Sequence, residues 1–216
     1  MPSRWMLAAL LLPAAATARP RPAMLTHTPS PELAAERPMP TAIRVSPQGA
    51  NYALEVTFTR APWGEECKNR CANATLYLDT DLDRRTGLQL GKDAAETGAD
   101  LAITFQGIRE YKEVSASFRL RVKVRGLSGD SDNSDRGTAL SELDHRRDAD
   151  RLQTDGNTVF ALVEATDSSL PTGKKMRIVY HPPGEPALSV EVPGILTGGG
   201  HFPSKSKPRA RTRSGK

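Results

Sequence analysis

Cysteine, aromatic residues and long apolar runs are all scarce in this chain of 216 residues. Cys67 and Cys71 are the only cysteines, in Glu65-Glu66-Cys67-Lys68-Asn69-Arg70-Cys71, with no His nearby. A zinc site usually needs four ligands, so this pair argues against a zinc centre. Aromatic residues make up 5% of the chain, and only Trp63 and Tyr111 are loop-side, leaving those two as candidates for stacking on a ligand. The apolar run near the start, Met6–Leu12, ends at Pro13. A membrane-spanning helix needs about 20 apolar residues, and no later segment approaches that length, which excludes a span. His27, His145, His181 and His201 are scattered over a linker, a charged loop, a strand end and a tail, so nothing brings them together as a zinc site or a catalytic base. There is no Gly-x-Ser-x-Gly nucleophile elbow and no glycine-rich phosphate loop. These absences point away from an enzyme.

What is present begins with a short basic start, Met1–Arg4, the apolar Met6–Leu12 and the small residues Ala16-Thr17-Ala18. That order predicts a secretory signal peptide over 1–18, with cleavage after Ala18. The expected location is therefore secreted, periplasmic or on the cell surface. In an exported chain the two cysteines most simply form one disulfide, Cys67–Cys71, closing a small loop. Residues 19–40 hold Pro20, Pro22, Pro29, Pro31, Pro38 and Pro40 and read as a Pro/Ala-rich, poorly ordered linker. Residues 199–216, after the first glycines of Gly198-Gly199-Gly200, read as a flexible basic tail with six Lys and Arg and no acid.

Charge sits at the ends. The net charge is +5, of which the tail supplies +6 and residues 1–40 supply +2, leaving −3 for residues 41–200. The basic balance is thus not a property of the fold, and a specific nucleic-acid partner is not expected. About 160 residues remain for one domain with a hydrophobic interior, placed at 41–198.

Within that domain alternation dominates. Tyr52, Leu54, Val56 and Phe58 fall on one face, and Phe118, Leu120, Val122 and Val124 alternate with Arg119, Arg121, Lys123 and Arg125. Such segments are half-buried strands of antiparallel sheets. Leu76–Leu78, Leu101–Phe105, Thr158–Val163 and Met176–Tyr180 read as more fully buried strands, Leu188–Val192 alternates again, and Ile43–Ser46 reads as the first strand. Turn residues separate them at Pro47-Gln48-Gly49, Arg60–Gly64, Asp155-Gly156-Asn157 and Pro182-Pro183-Gly184. The expected fold is all-β, a mostly antiparallel, jelly-roll-like β-sandwich. The one helix candidate is Thr138–Leu152, whose thin stripe of Leu140, Leu143 and Leu152 fits a solvated excursion equally well.

The strand Ala74–Leu78 runs straight into Asp79-Thr80-Asp81-Leu82-Asp83, followed by Thr86-Gly87 and by Gly98-Ala99-Asp100. Alternate carboxylates in a curved loop can converge on a hard cation, which takes several oxygen ligands. Asp79, Asp81 and Asp83, with Asp100 as a fourth, are the candidate ligands, and calcium is the expected ion. An EF-hand is excluded by spacing: with Asp79 as position one, the required Gly is Arg84 and the required Glu is Leu90. A bland alternative is a solvated turn whose acids are satisfied by Arg84, Arg85 and Lys92.

The strand ending in Asp-x-Asp also resembles the nucleophile motif of haloacid-dehalogenase-type phosphatases, which would make Asp79 the nucleophile and Asp81 the general acid. That family has Thr or Val where this chain has Asp83, and it needs a parallel sheet with intervening helices. The wider stretch, Leu76–Asp81 with Thr86-Gly87 and Gly98–Ile103, is similar to secreted bacterial β-sandwich domains of the family-9 carbohydrate-binding and DOMON-like kinds. That resemblance implies a binding module for a glycan or cell-envelope polymer. The chain departs from the pattern in Asp83, in the Leu88–Thr97 insertion and in the Cys67/Cys71 loop. The rival expectation is a structural extracellular or coat protein held to anionic polymers by its basic tail.

Overall fold

The computed structural model describes residues 22–67, 71–90, 98–111, 116–127, 137–166 and 168–195. The expected signal peptide, the basic tail and most of the Leu88–Thr97 insertion lie outside them.

Among the described residues, eleven strands form two antiparallel sheets. The first sheet holds β1 (Ala23–Thr26), β2 (Pro40–Gln48), β3 (Asn51–Phe58), β8 (Leu152–Asp155) and β9 (Thr158–Glu164), in the order β1-β2-β3-β9-β8. The second holds β4 (Asn73–Asp79), β5 (Leu101–Tyr111), β6 (Ala116–Gly126), β7 (Thr138–Asp144), β10 (Met176–Tyr180) and β11 (Leu188–Val192), in the order β11-β10-β4-β5-β6-β7. Every pairing between these strands is antiparallel. The all-β sandwich expected from alternation is therefore the fold, and the parallel sheet required by the phosphatase resemblance is not what these strands build.

One core fills the space between the sheets. Tyr52, Leu54, Val56 and Phe58 of β3 and Val159, Ala161 and Val163 of β9 meet Leu76 and Leu78 of β4, Ile103 and Phe105 of β5, and Leu120, Val122 and Val124 of β6. The period-two pattern does this because successive strand side chains point to opposite faces. The Tyr52 hydroxyl reaches across the edge, donating to the Pro171 carbonyl at 2.7 Å and accepting from the Ile195 amide at 3.2 Å. A buried phenol is thereby satisfied, as burial requires. Two-residue connections close the β2–β3 and β8–β9 hairpins, with Gly49 at φ 61° and Gly156 at φ 56° supplying the left-handed backbone.

Three expectations need correction. Thr138–Leu152 is not a helix: Thr138–Asp144 is β7, and two successive turns, one closed on the Asp144 carbonyl and one on the Asp148 carbonyl, lead to β8. The charges that resembled a helix surface are cross-strand partners, with Asp144 opposite Arg121 and Glu142 opposite Lys123. The Pro-rich segment is not only a linker. Ala23 and Leu25 of β1 face the core while β1 pairs with β2, so Ile43–Ser46 lies in the second strand. Residues Pro31–Glu36 form a short helix α1, with Ser30 accepting the Leu33 amide as its cap. Finally, Thr158–Val163 is buried on one face alone, because β9 lies in a sheet whose outer face meets solvent.

The Cys67–Cys71 disulfide is present, with its Cα atoms 4.8 Å apart. Among the described residues, no helix is long and apolar enough to cross a membrane.

Candidate metal centre

The site forms where β4 ends and β5 begins. Leu78 of β4 points into the core, so Asp79 turns to the opposite face of the second sheet. Its register partner there is Arg177 of β10. Leu78 pairs with Leu101, which puts Asp100 beside Asp79, and the Asp100 amide donates to the Leu78 carbonyl at 2.8 Å.

The connecting loop is fixed by glycine. Thr86-Gly87-Leu88 folds back on Gly98-Ala99-Asp100, and Leu88 and Ala99 exchange backbone hydrogen bonds of 2.7 and 3.0 Å. Gly87 has φ 67°, and a Cβ there would lie 2.3 Å from the Ala99 carbonyl oxygen. Gly98 has φ 53°, and its Cβ would lie 2.6 Å from the Asp83 carbonyl oxygen. Only glycine fits such left-handed, closely approached backbone. The Thr-Gly and Gly-Ala-Asp signals of the sequence are thus one clasp that brings Asp100 to the Asp79 loop.

Asp79, Asp81 and Asp100 each offer a carboxylate oxygen, and these oxygens lie within 4.8 Å of one another, a group able to hold a metal ion. Asp79 is fully buried. Its Oδ2 accepts from Arg177 Nη2 at 2.5 Å, while its buried Oδ1 has no hydrogen-bond partner. Asp81 is exposed, and its carboxylate accepts the Asp83 amide at 2.7 Å and the Thr86 hydroxyl at 3.0 Å. Asp100 Oδ2 accepts both the amide and the hydroxyl of Thr80, each at 2.8 Å. These bonds to Asp81 and Asp100 hold the carboxylates in place.

Burial raises the Asp79 carboxyl above its ordinary value. The Arg177 charge and the nearby Leu82 amide oppose that rise, whereas Asp81 and Asp100 add to it. A buried carboxylate ringed by like charges is costly, and a cation among the three would reverse the sign of that environment.

Asp83 does not join the group. Leu82 takes φ 61°, which breaks the extended alternation and sends the next side chain outward. Asp83 instead binds Arg85, through its guanidinium at 3.0 Å and its amide at 3.1 Å. Those bonds hold its carboxyl down to about 2. Arg177 and Thr80 are the residues that sequence reasoning missed. Arg177 had one signal, a charge inside the apolar run Met176–Tyr180, which a buried strand tolerates only with a partner.

The two candidate stacking residues are not brought to this site. Trp63 is half-buried against the core, with its ring 4.0 Å from that of His145. Tyr111, at the end of β5, is 68% exposed, and the Arg109 guanidinium lies 4.7 Å over its ring. No protein-family model, no curated protein and no solved structure matches the chain, which leaves the chemistry of its own side chains as the guide to function.

Proposed function

We propose that this chain is an exported β-sandwich that works by binding rather than catalysis, and that Asp79, Asp81 and Asp100 hold one calcium ion. The observation that carries this reading is Asp79 Oδ1, a buried carboxylate oxygen without a hydrogen bond, on a side chain grouped with two further carboxylates. Buried polar atoms are nearly always satisfied, and an ion is the partner that three carboxylates call for. The donors are all hard oxygens, which suit calcium or magnesium rather than zinc or copper. Calcium–oxygen bonds of about 2.3–2.6 Å place opposed ligands about 5 Å apart, in keeping with a group spanning up to 4.8 Å. Magnesium, at about 2.0–2.1 Å, asks for a tighter and more regular cage. Calcium is also plentiful outside the cell, where sites with dissociation constants of about 10⁻⁴–10⁻³ M fill.

For the partner, a glycan of the cell envelope is the best-supported class. The architecture is the one that the resemblance to family-9 carbohydrate-binding and DOMON-like domains implies. The outer face of the first sheet also offers a suitable row: Arg44, Glu55, Phe160 and Gln153 lie side by side across β2, β3, β9 and β8. Phe160 is 39% exposed, and a cavity of about 260 Å³ opens over it. A pyranose can set its apolar face on the ring while charged and amide groups on either side take its hydroxyls. On this reading the stacking residue is Phe160 of β9 rather than Trp63 or Tyr111.

A glycan array probed with the purified protein in calcium tests the binding half. Signal that Phe160→Ala abolishes, with the melting temperature little changed, is the expected result. Retention on envelope fragments that dissolves in salt, ignores free sugars and vanishes on deleting residues 203–216 would instead favour a coat protein anchored by its tail. Calorimetric titration with calcium tests the other half, and absence of any binding heat or stoichiometry would sink it.

A further inference from the structure

By formal charge, the carboxylates of Asp79, Asp81 and Asp100 bring three negative charges to one point, and Arg177, paired with Asp79, brings one positive charge beside them. We propose that Arg177 is the resident counter-ion of the cation site: Asp79 bridges, giving Oδ2 to the guanidinium and Oδ1 to the ion, and the remaining charge of −2 matches the site to a divalent cation. This inference rests on the calcium reading above and names what sets the ion's charge.

Three observations carry it. Arg177 is 8% exposed on a strand whose other residues are apolar and buried, so its charge is retained against a desolvation penalty. The ion pair uses only one side of the carboxylate, and a pair kept for stability alone would leave no buried oxygen unpartnered. Arg177 also sits directly opposite Asp79 on one side and Glu191 of β11 on the other. It thereby links the loop after β4 to the edge of the second sheet. Without the ion, the guanidinium is the charged partner of Asp79 Oδ2 in a buried setting. With the ion, it repels the bound charge and moderates affinity.

The test uses the full chain, titrated separately with calcium and with terbium(III), and melted in calcium and in chelator. In Arg177→Met the chelator form should melt lower than wild type. The gain on adding calcium should be larger than in wild type, and the ratio of terbium to calcium affinity should rise at least tenfold. Both marks are required: an unchanged increment or an unchanged ratio makes Arg177 a plain structural partner and overturns the inference while leaving the calcium reading intact. A wild type that responds to neither ion removes both. If Arg177→Met folds in neither condition, the neutral pair Asp79→Asn with Arg177→Met decides. Its net site charge equals that of wild type, so calcium affinity falling at least tenfold supports a shared Asp79, and unchanged affinity refutes it.

Discussion

A carboxylate without exposed surface depends on what surrounds each of its oxygens, and at Asp79 the two surroundings differ. Oδ2 has a guanidinium, while Oδ1 has no hydrogen-bond partner. Two substitutions separate the acids that face the site from the one that does not. Asp81→Ala should abolish the calcium response of the melting temperature, whereas Asp83→Ala should leave it intact, since Asp83 is turned to Arg85. Equal loss in both variants would mean that the loop rearranges when it binds. Gly98→Ala should cost about 1–3 kcal/mol from its left-handed backbone alone. The clash of its Cβ, 2.6 Å from the Asp83 carbonyl, adds to that cost. Chemical denaturation measures it, and a neutral result would show that the clasp is not built as described. The alternation of Asp79, Asp81 and Asp83 was legible in the sequence. The reversal at Leu82 was not, because a non-glycine residue at positive φ leaves no compositional mark.

Among the elements, strands with a sustained apolar or alternating pattern were legible, the five-residue β10 and β11 included, whereas β1, β7 and β8 were not. β3 and β6 announce themselves because a buried face imposes period two over their whole length. β1 is four residues long inside a Pro-rich stretch, so its two inward residues form no readable period. Its place in the fold has a direct check. Leu25→Ala should cost about 2–3 kcal/mol as a buried Leu truncation, and no cost at all would return residues 19–40 to the status of linker. β7 was hidden because its acids match bases on a neighbouring strand, information that local sequence does not hold. The turn after β7 carries a pH dependence. His145 Nδ1 accepts the Leu120 amide at 3.0 Å, so protonation would forfeit that bond. Burial lowers its pKa below the ordinary value. The unfolded chain then takes the proton more readily, so this contribution is complete above a pH of about 6.5 and is lost as pH falls through the lower folded value. His145→Asn, which keeps an acceptor without titrating there, should flatten the melting-temperature profile between about pH 7 and pH 5. An unaltered profile would put the acid sensitivity elsewhere.

At the scale of the whole molecule, two sheets share one core, and the acidic site lies on the face of the second sheet turned away from that core, at the junction of β4, β5 and β10. An ion there ties three strands of that sheet without disturbing the packing beneath. The folded chain assembles the ligands and the unfolded chain does not, so occupancy must appear as stability by mass action. At calcium one hundred times its dissociation constant the gain is about 2.7 kcal/mol. For a domain of this size that is a rise of about 5–10 °C in melting temperature. The fold class was legible from alternation and the site from its acids, but Arg177, 98 residues away from Asp79, could be joined to it only by the register of β4 on β10. The most direct measurement is the melting temperature of the wild-type protein in millimolar calcium and in excess chelator at constant ionic strength. A rise of several degrees in calcium is the expected result, and identical melting in the two would contradict a cation site at Asp79, Asp81 and Asp100.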